Sequence, residues 1–283
     1  MSAVQRSETE QTMQWGSRRG QAWVEAQELL DRLFQPFENM LVDAVGAVAG
    51  HRVLDIGCGT GSTTVAVARR LVAGGSSVGV DISEPMIAAA RVRAERERAP
   101  ATFVLADAQT YAFEPASFDT IISRFGVMFF DDSVRAFANM RQAATEGAAL
   151  RAIVWRSAEE NPFMTVAERA AAPLLPNLPV RKPDEPGQFA FGDPHRVRSI
   201  LEQSRWSDID IRPLDVECAL PEKDLVPYLT RLGPVGVALK AADEPTRARV
   251  IDAARAAFEP FVHAAEVRFT AACWMVGAGS RTR

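Results

Sequence analysis

The sequence predicts an α/β fold: a largely parallel sheet covered on both faces by helices, with helical and loop insertions acting as a lid. Three observations predict it. Between residues 52 and 155 short apolar runs alternate with amphipathic stretches of helical period. A glycine-dense loop, "DIGCGTG" at residues 55–61, joins the first such run to the first such stretch. Two further strand-like runs, at 208–220 and 266–279, follow a long proline-rich segment and can complete the sheet.

Each element follows from local chemistry. Residues 1–14 are polar. From about residue 20, Trp23, Gln27, Leu30, Phe34, Phe37, Leu41 and Val45 recur at three-to-four spacing, which predicts a helix that Pro36 kinks or breaks. "RVLDI" (52–56) reads as a buried strand and "GSTTVAVARRL" (61–71) as a helix with Val65, Ala68 and Leu71 on one face. "SSVGVDI" (76–82) is a strand. It leads into a helix over 84–98 with Ser83 as N-cap and Pro85 in the first turn. Strands at 101–107, 118–125 and 148–155 and a helix at 132–144 follow. Residues 162–194 hold Pro162, Pro173, Pro176, Pro179, Pro183, Pro186 and Pro194, a pattern expected of an irregular binding loop or lid. Regular structure is expected to resume at 193–204, with Asp193 capping a helix, and residues 221–262 read mostly as helix. The resulting division is an N-terminal helical cap (1–45), a ligand-binding core (46–156), a proline-rich lid with its helix (157–205), and C-terminal strands with inserted helices (206–283).

Composition narrows the function. The chain is 47% hydrophobic and 24% charged, with a net charge of −4 and no basic block to follow a phosphate backbone, which argues against a nucleic-acid partner. Lysine occurs only at Lys182, Lys223 and Lys240. Cys58, Cys218 and Cys273 are scattered, without metal-ligand spacing, so no metal site is expected, and the sparse odd count suits a reducing cytoplasm. No apolar run reaches the ~20 residues needed to span a bilayer, and the polar start lacks a signal-peptide core. The expectation is a cytoplasmic monomer or homodimer acting on a small molecule.

The glycine loop narrows it further. Gly57 permits a tight turn off the strand, Gly59 lets a ligand approach the backbone, and Gly61 lets the next helix pack near the sheet. The free N–H groups at that helix start favour an anion, either a dinucleotide pyrophosphate or the carboxylate of S-adenosylmethionine. A dinucleotide fingerprint needs its third glycine at position 62, which is Ser62. The Gly-x-Gly-x-Gly spacing and the preceding Asp55 fit the second ligand. Asp81, at the end of the second strand, can accept hydrogen bonds from ribose hydroxyls, and Asp107, ending the third, from an adenine amine. Ile82 and Met86 can sandwich the adenine, and Thr60 joins the loop's cofactor-binding set.

The ordered series "VLDIGCGTG", "GVDIS", "LADA" and "FDTIISRFGVMFF" resembles the class I S-adenosylmethionine-dependent methyltransferases over about residues 45–156. It is most similar to the small-molecule group that includes ubiquinone and menaquinone biosynthesis enzymes. The resemblance implies a Rossmann-like sheet of seven strands, the last antiparallel. It implies that Gly57, Gly59, Gly61, Asp81 and Asp107 contact the cofactor, and that Ala108 and Arg124 touch it through backbone atoms. It also places Trp15 where an N-terminal helix closes over the cofactor. Two stretches depart from the family pattern: "TEGAA" (145–149) replaces a Pro-Gly-Gly turn, and "SRW" (204–206) replaces Ala-Gly-Phe.

The acceptor side is read from the exit of the fourth strand. The Asp/Asn-Pro-Pro-aromatic element of amine-methylating nucleic-acid enzymes is absent there. Phe125, Met128, Phe129 and Phe130 instead point to an apolar pocket, completed by Trp155 and Phe163 and covered by Phe189 and Phe191. The favoured acceptor is a hydrophobic or aromatic small molecule methylated on oxygen or carbon. His51, His195, His263 and Tyr111 are the candidate bases, and none is assigned as catalytic. An NAD-dependent oxidoreductase and a non-catalytic S-adenosylmethionine-binding partner are the alternatives.

Overall fold

The computed structural model describes residues 15, 16, 18–178 and 185–281; the polar segment 1–14 and the prolines Pro179 and Pro183 lie outside the described residues. Two N-terminal helices, α1 (Arg18–Glu25) and α2 (Gln27–Val45), are separated at Ala26. The expected break at Pro36 does not occur: α2 continues through it and buries Leu33, Phe37 and Leu41 on one face. That apolar stripe outweighs the one backbone hydrogen bond that proline forfeits.

The alternating region follows as β1 (Arg52–Ile56), α3 (Ser62–Arg70), β2 (Ser76–Asp81), α4 (Glu84–Glu97), β3 (Ala101–Leu105), β4 (Phe118–Arg124), α5 (Ser133–Ala143) and β5 (Ala144–Trp155). The proline-rich segment is more regular than its prolines suggest, since it contains a 3-10 turn (Pro162–Met164) and α6 (Val166–Ala171) before α7 (Pro194–Gln203). The chain ends with β6 (Ser207–Pro221), α8 (Leu225–Arg231), α9 (Gly233–Leu239), α10 (Glu244–Phe258), the two-residue β7 (Val262–His263) and β8 (Glu266–Gly279).

The sheet runs β3-β2-β1-β4-β5-β8-β6, with β7 paired only to β8. Strands β1 to β5 pair in parallel, and β8 is antiparallel to both β5 and β6. The expected seven strands with an antiparallel last strand are present, and the short β7 makes an eighth. Chain order reverses between β1 and β4, and this switch point opens a crevice at the carboxyl ends of those strands.

The β6–β8 ribbon outlasts its neighbour. Strand β5 ends at Trp155 opposite Cys273, whereas β6 and β8 stay paired from Asp215–Ala272 on to Pro221–Glu266. The ribbon therefore overhangs the same end of the sheet as the crevice. Phe269 on it stacks on Phe163 of the 3-10 turn, with centroids 3.7 Å apart. Arg32 of α2 pairs with Asp224, just before α8, at 3.2 Å. Helix α2 is thus tied to the helices inserted between β6 and β7 as well as to the core. No helix among the described residues is long and apolar enough to cross a membrane.

Candidate active site

The crevice is one cavity whose wall is built by five segments: the β1–α3 loop, the ends of β2, β3 and β4, and the inner face of α1 and α2. Asp55, Gly57, Gly59, Thr60, Asp81, Ile82, Met86, Asp107, Ala108, Arg124 and Trp15 all lie on it. The same cavity is lined by Phe125 and Phe129 from the exit of β4.

The loop geometry has a steric cause at each glycine. A Cβ on Gly57 would stand 2.6 Å from the Gly126 Cα, because the β1 and β4 exits cross backbone to backbone. A Cβ on Gly59 would meet only the Met86 Sδ, at 3.8 Å, so that glycine faces open cavity. Gly61 is different. Its Cβ would meet Ala90 and Phe103 at 2.8 and 2.9 Å, so it lies off the cavity and serves the packing of α3 against α4 and β3.

The acids are held by backbone. Asp81 accepts from Gly59 N and Ser83 N, both at 2.8 Å, which links the end of β2 to the glycine loop. Burial raises its pKa, and those hydrogen bonds oppose the rise. Asp107, in the cavity lining, accepts from Gln109 N at 2.9 Å in an Asx turn. Asp55 is buried beneath the loop, where Thr64 Oγ1 donates to it at 2.7 Å. Burial pushes its pKa up to about 7, against the Thr64 bond and the charge of Arg124.

The exit of β4 is strained. Phe125 adopts φ +64°, an unfavourable region for an aromatic residue. Three contacts hold it there. Phe125 N bonds Ile153 O at 2.9 Å, Ser123 Oγ receives Gly126 N at 3.1 Å, and the Phe125 ring stacks on Trp155 at 4.3 Å and 6°.

Several expected residues sit elsewhere. Met128 is buried behind the cavity wall, its sulfur receiving the Trp155 N–H at 3.4 Å. The 3-10 turn at Val127–Phe129 sends Met128 inward and Phe129 to the cavity. Phe189 packs against the main core instead of covering the crevice, and Phe191 is buried beside Phe137. Trp155 and Phe163 are likewise core. Ser83 occupies the N-cap position of α4, but its hydroxyl donates to Trp15 O at 2.7 Å instead of capping the helix. His51 bonds Thr120 at the opposite end of the sheet, while His195, His263 and Tyr111 are exposed away from the cavity.

The sequence reading missed the wall supplied by the N-terminal helices and α3. Trp23, Gln27, Leu30, Asp31 and Phe34 line the cavity, as do Thr63 and Gly126, while Phe130 lines it as expected. Trp15 sits edge-on to Phe129 at 5.2 Å and to Trp23 at 6.1 Å, so this half of the cavity is aromatic. The signal was present: Gln27 interrupts an otherwise apolar helical stripe.

Comparison with known proteins bears on what this cavity serves. Residues 53–147 match the family described as a methyltransferase domain. The chain is 36% identical over 132 residues to the aklanonic acid methyltransferase DauC of Streptomyces sp. (strain C5), a match covering 45% of this chain and 60% of DauC. It is 28% identical over 187 residues to the demethylmenaquinone methyltransferase of Renibacterium salmoninarum, covering 63% and 76% of the two chains. The match thus spans less than two thirds of DauC. The solved structure of the YcgJ protein from Bacillus subtilis superposes with a TM-score of 0.58 at 15% identity, over 88% of this chain and 100% of that one, which is likeness of fold. The match to the methyltransferase-domain family lies on residues 53–147, the stretch that holds the glycine loop and the ordered acids, and the sheet topology agrees with the resemblance to class I S-adenosylmethionine-dependent methyltransferases.

Proposed function

We propose that this chain transfers a methyl group from S-adenosylmethionine to oxygen or carbon of a hydrophobic or aromatic small molecule. One observation carries the reading. A single cavity joins an acid- and glycine-lined end (Gly57, Gly59, Asp81, Asp107) to an aromatic end (Trp15, Trp23, Phe125, Phe129). The residues fit the cofactor's parts. Asp81 keeps acceptor capacity for ribose hydroxyls beyond its two backbone bonds. Asp107 would accept from the adenine amine, Ile82 and Met86 would flank the ring, and Gly59, whose Cβ position meets nothing closer than 3.8 Å, would leave the backbone open to the amino-acid moiety. When bound, the cofactor supplies an activated methyl on a sulfonium, with a neutral thioether as leaving group. The protein's own task is alignment and exclusion of water. The aromatic wall orients a flat acceptor, and the α1–α2 cap screens it from solvent. His51, His195, His263 and Tyr111 lie off the cavity, so none is assigned as base. DauC is named for aklanonic acid and the Renibacterium enzyme for demethylmenaquinone, names that support a small-molecule acceptor.

The test is release of S-adenosylhomocysteine against a panel of phenols, quinols, carboxylic acids and amines, with a no-acceptor control. Turnover is expected with phenols or quinols. Turnover confined to amines would overturn the acceptor class.

A further inference from the structure

We propose that Asn139 of α5 is a positioning residue for recognition of the adenine amine: it stands outside the cavity lining and acts by setting the carboxylate of Asp107. The inference rests on the cofactor assignment above and adds the residue that holds its adenine end in place.

The segment that carries Asp107 has no regular structure of its own. Residues 106–117, between β3 and β4, form neither helix nor strand. Ala106 N is tied back to Asp81 O at 3.0 Å, and Asp107 O accepts from Thr110 N and Tyr111 N at 3.1 and 2.8 Å. The Asp107 side chain is held by one peptide unit, the one joining Ala108 to Gln109. Its N–H donates to Asp107 Oδ1 at 2.9 Å. Its carbonyl, Ala108 O, accepts from Asn139 Nδ2 at 2.9 Å. A planar peptide bonded at both ends cannot tilt without losing one of the two bonds. The Asn139 bond therefore fixes the direction from which Oδ1 is gripped. Oδ2 has only the Thr110 Oγ1 contact, at 3.4 Å, among the described residues, and so retains acceptor capacity for the adenine amine.

Asn139 is fully committed to this turn. Its Nδ2 also donates to Tyr111 O at 2.8 Å, so both N–H bonds of one amide close on the loop. Reversing the amide would set Oδ1 against two carbonyl oxygens, which fixes its orientation. Helix α5 grips the loop at a second point, where Asp132 N donates to Oε1 of the buried Gln109 at 2.8 Å. Asp132, the N-cap of α5, and Asn139 stand about two turns apart on one face of the helix. A rigid helix thus sets an irregular turn, the support that a loop-borne recognition group needs. The adenine amine is a donor, whereas hypoxanthine carries an acceptor carbonyl at the same place. A carboxylate held in position favours the first and repels the second, and one free to swing separates them less.

The experiment is calorimetric titration of the whole chain with S-adenosylhomocysteine and with S-inosylhomocysteine, in which that amine is replaced by a carbonyl oxygen. The native chain should bind the adenosyl ligand at least about tenfold more tightly. N139L keeps the bulk of the side chain and removes both donors, and N139A serves if leucine disturbs the fold. Each should lose about fivefold or more in affinity for S-adenosylhomocysteine and much less for S-inosylhomocysteine, which narrows the native preference. Equal losses for both ligands would make Asn139 a general prop of the loop and overturn the proposal, as would a preference unchanged from the native one. Equal binding of both ligands by the native chain would remove the adenine amine from Asp107, and the role of Asn139 with it. Failure of the native chain to bind either ligand would overturn the cofactor assignment itself.

Discussion

Arg93 on α4 and Asp31 on α2 form an ion pair at 2.5 Å, with side chains only 10% and 24% exposed. Gln27 accepts from the same guanidinium nitrogen at 3.4 Å. The pair fastens the N-terminal helices to the body of the sheet, and its Asp31 end faces the cavity. A second fastening, from Ser83 Oγ to Trp15 O, lies at the start of the same helix. Removing one partner leaves the other desolvated, and the Arg93 Nε already lacks a partner. Asp31→Ala is therefore expected to cost about 3 kcal/mol, the low end for breaking a buried pair. Affinity for S-adenosylhomocysteine should weaken as the cap loosens. A urea melt within about 0.5 kcal/mol of the native chain would reduce the pair to surface decoration.

The two cavity glycines of the loop should fail differently when changed to alanine. Gly57→Ala drives a Cβ into the Gly126 backbone, at a residue with φ +66°, and neither strand can yield. A loss of about 3 kcal/mol or more in stability is expected. Gly59→Ala meets no protein atom closer than 3.8 Å, and only its φ of +55° opposes it, so about 1–2 kcal/mol is expected. Its methyl would stand in the cavity. Thermal melting should rank Gly57→Ala as the less stable variant, while calorimetry should find Gly59→Ala folded but poor at binding S-adenosylhomocysteine.

Asp81 bears on both loop and ligand. On the proposed cofactor assignment, Asp81→Ala would remove a charge-assisted ribose contact; it also frees Gly59 N and Ser83 N, whose bonds link the loop to the end of β2. A loss of roughly 1–3 kcal/mol in S-adenosylhomocysteine affinity is expected. Unchanged affinity by calorimetry would remove the ribose from this carboxylate.

The division between what could and could not be read from sequence follows the range of the interactions. The strands from β1 to β5 announced themselves by apolar runs between turn residues, and β8 lies at 266–279 as expected. Asp55, Asp81 and Asp107 lie at or just beyond the carboxyl ends of β1, β2 and β3, which are neighbours in the sheet, so strand order brings them to one crevice. Phe34 and Asp31 were not legible as cavity residues, because a helical stripe has the same period whether it packs on a sheet or over a ligand. Met128 and Phe129 are adjacent and both apolar; a single 3-10 turn decides which faces the cavity. Phe189 was assigned to the crevice by its place in a long segment, yet the segment's path depends on contacts with α5 and the ribbon. The Ser83 hydroxyl had a local partner available and took a residue 68 positions away instead.

Asp55 should also leave a signature in stability against pH. Its carboxyl titrates near 7 in the folded chain, because burial outweighs the Thr64 bond, and near the ordinary aspartate value of 3.8 once unfolded. The raised folded pKa means that the native state binds this proton more tightly than the unfolded state does. Its stabilising contribution is then complete below pH 3.8 and is lost as pH climbs through 7. At about 1.4 kcal/mol per tenfold difference in proton affinity, the loss is at most about 4 kcal/mol. Asp55→Asn keeps an acceptor for Thr64 Oγ1 but has no proton to lose. Urea melts of both chains between pH 4 and pH 8 should show the native chain losing stability relative to the variant across that window, with most of the divergence below pH 7. Parallel curves would mean that the folded protein ionises Asp55 as readily as the unfolded chain does, with Arg124 and Thr64 outweighing burial.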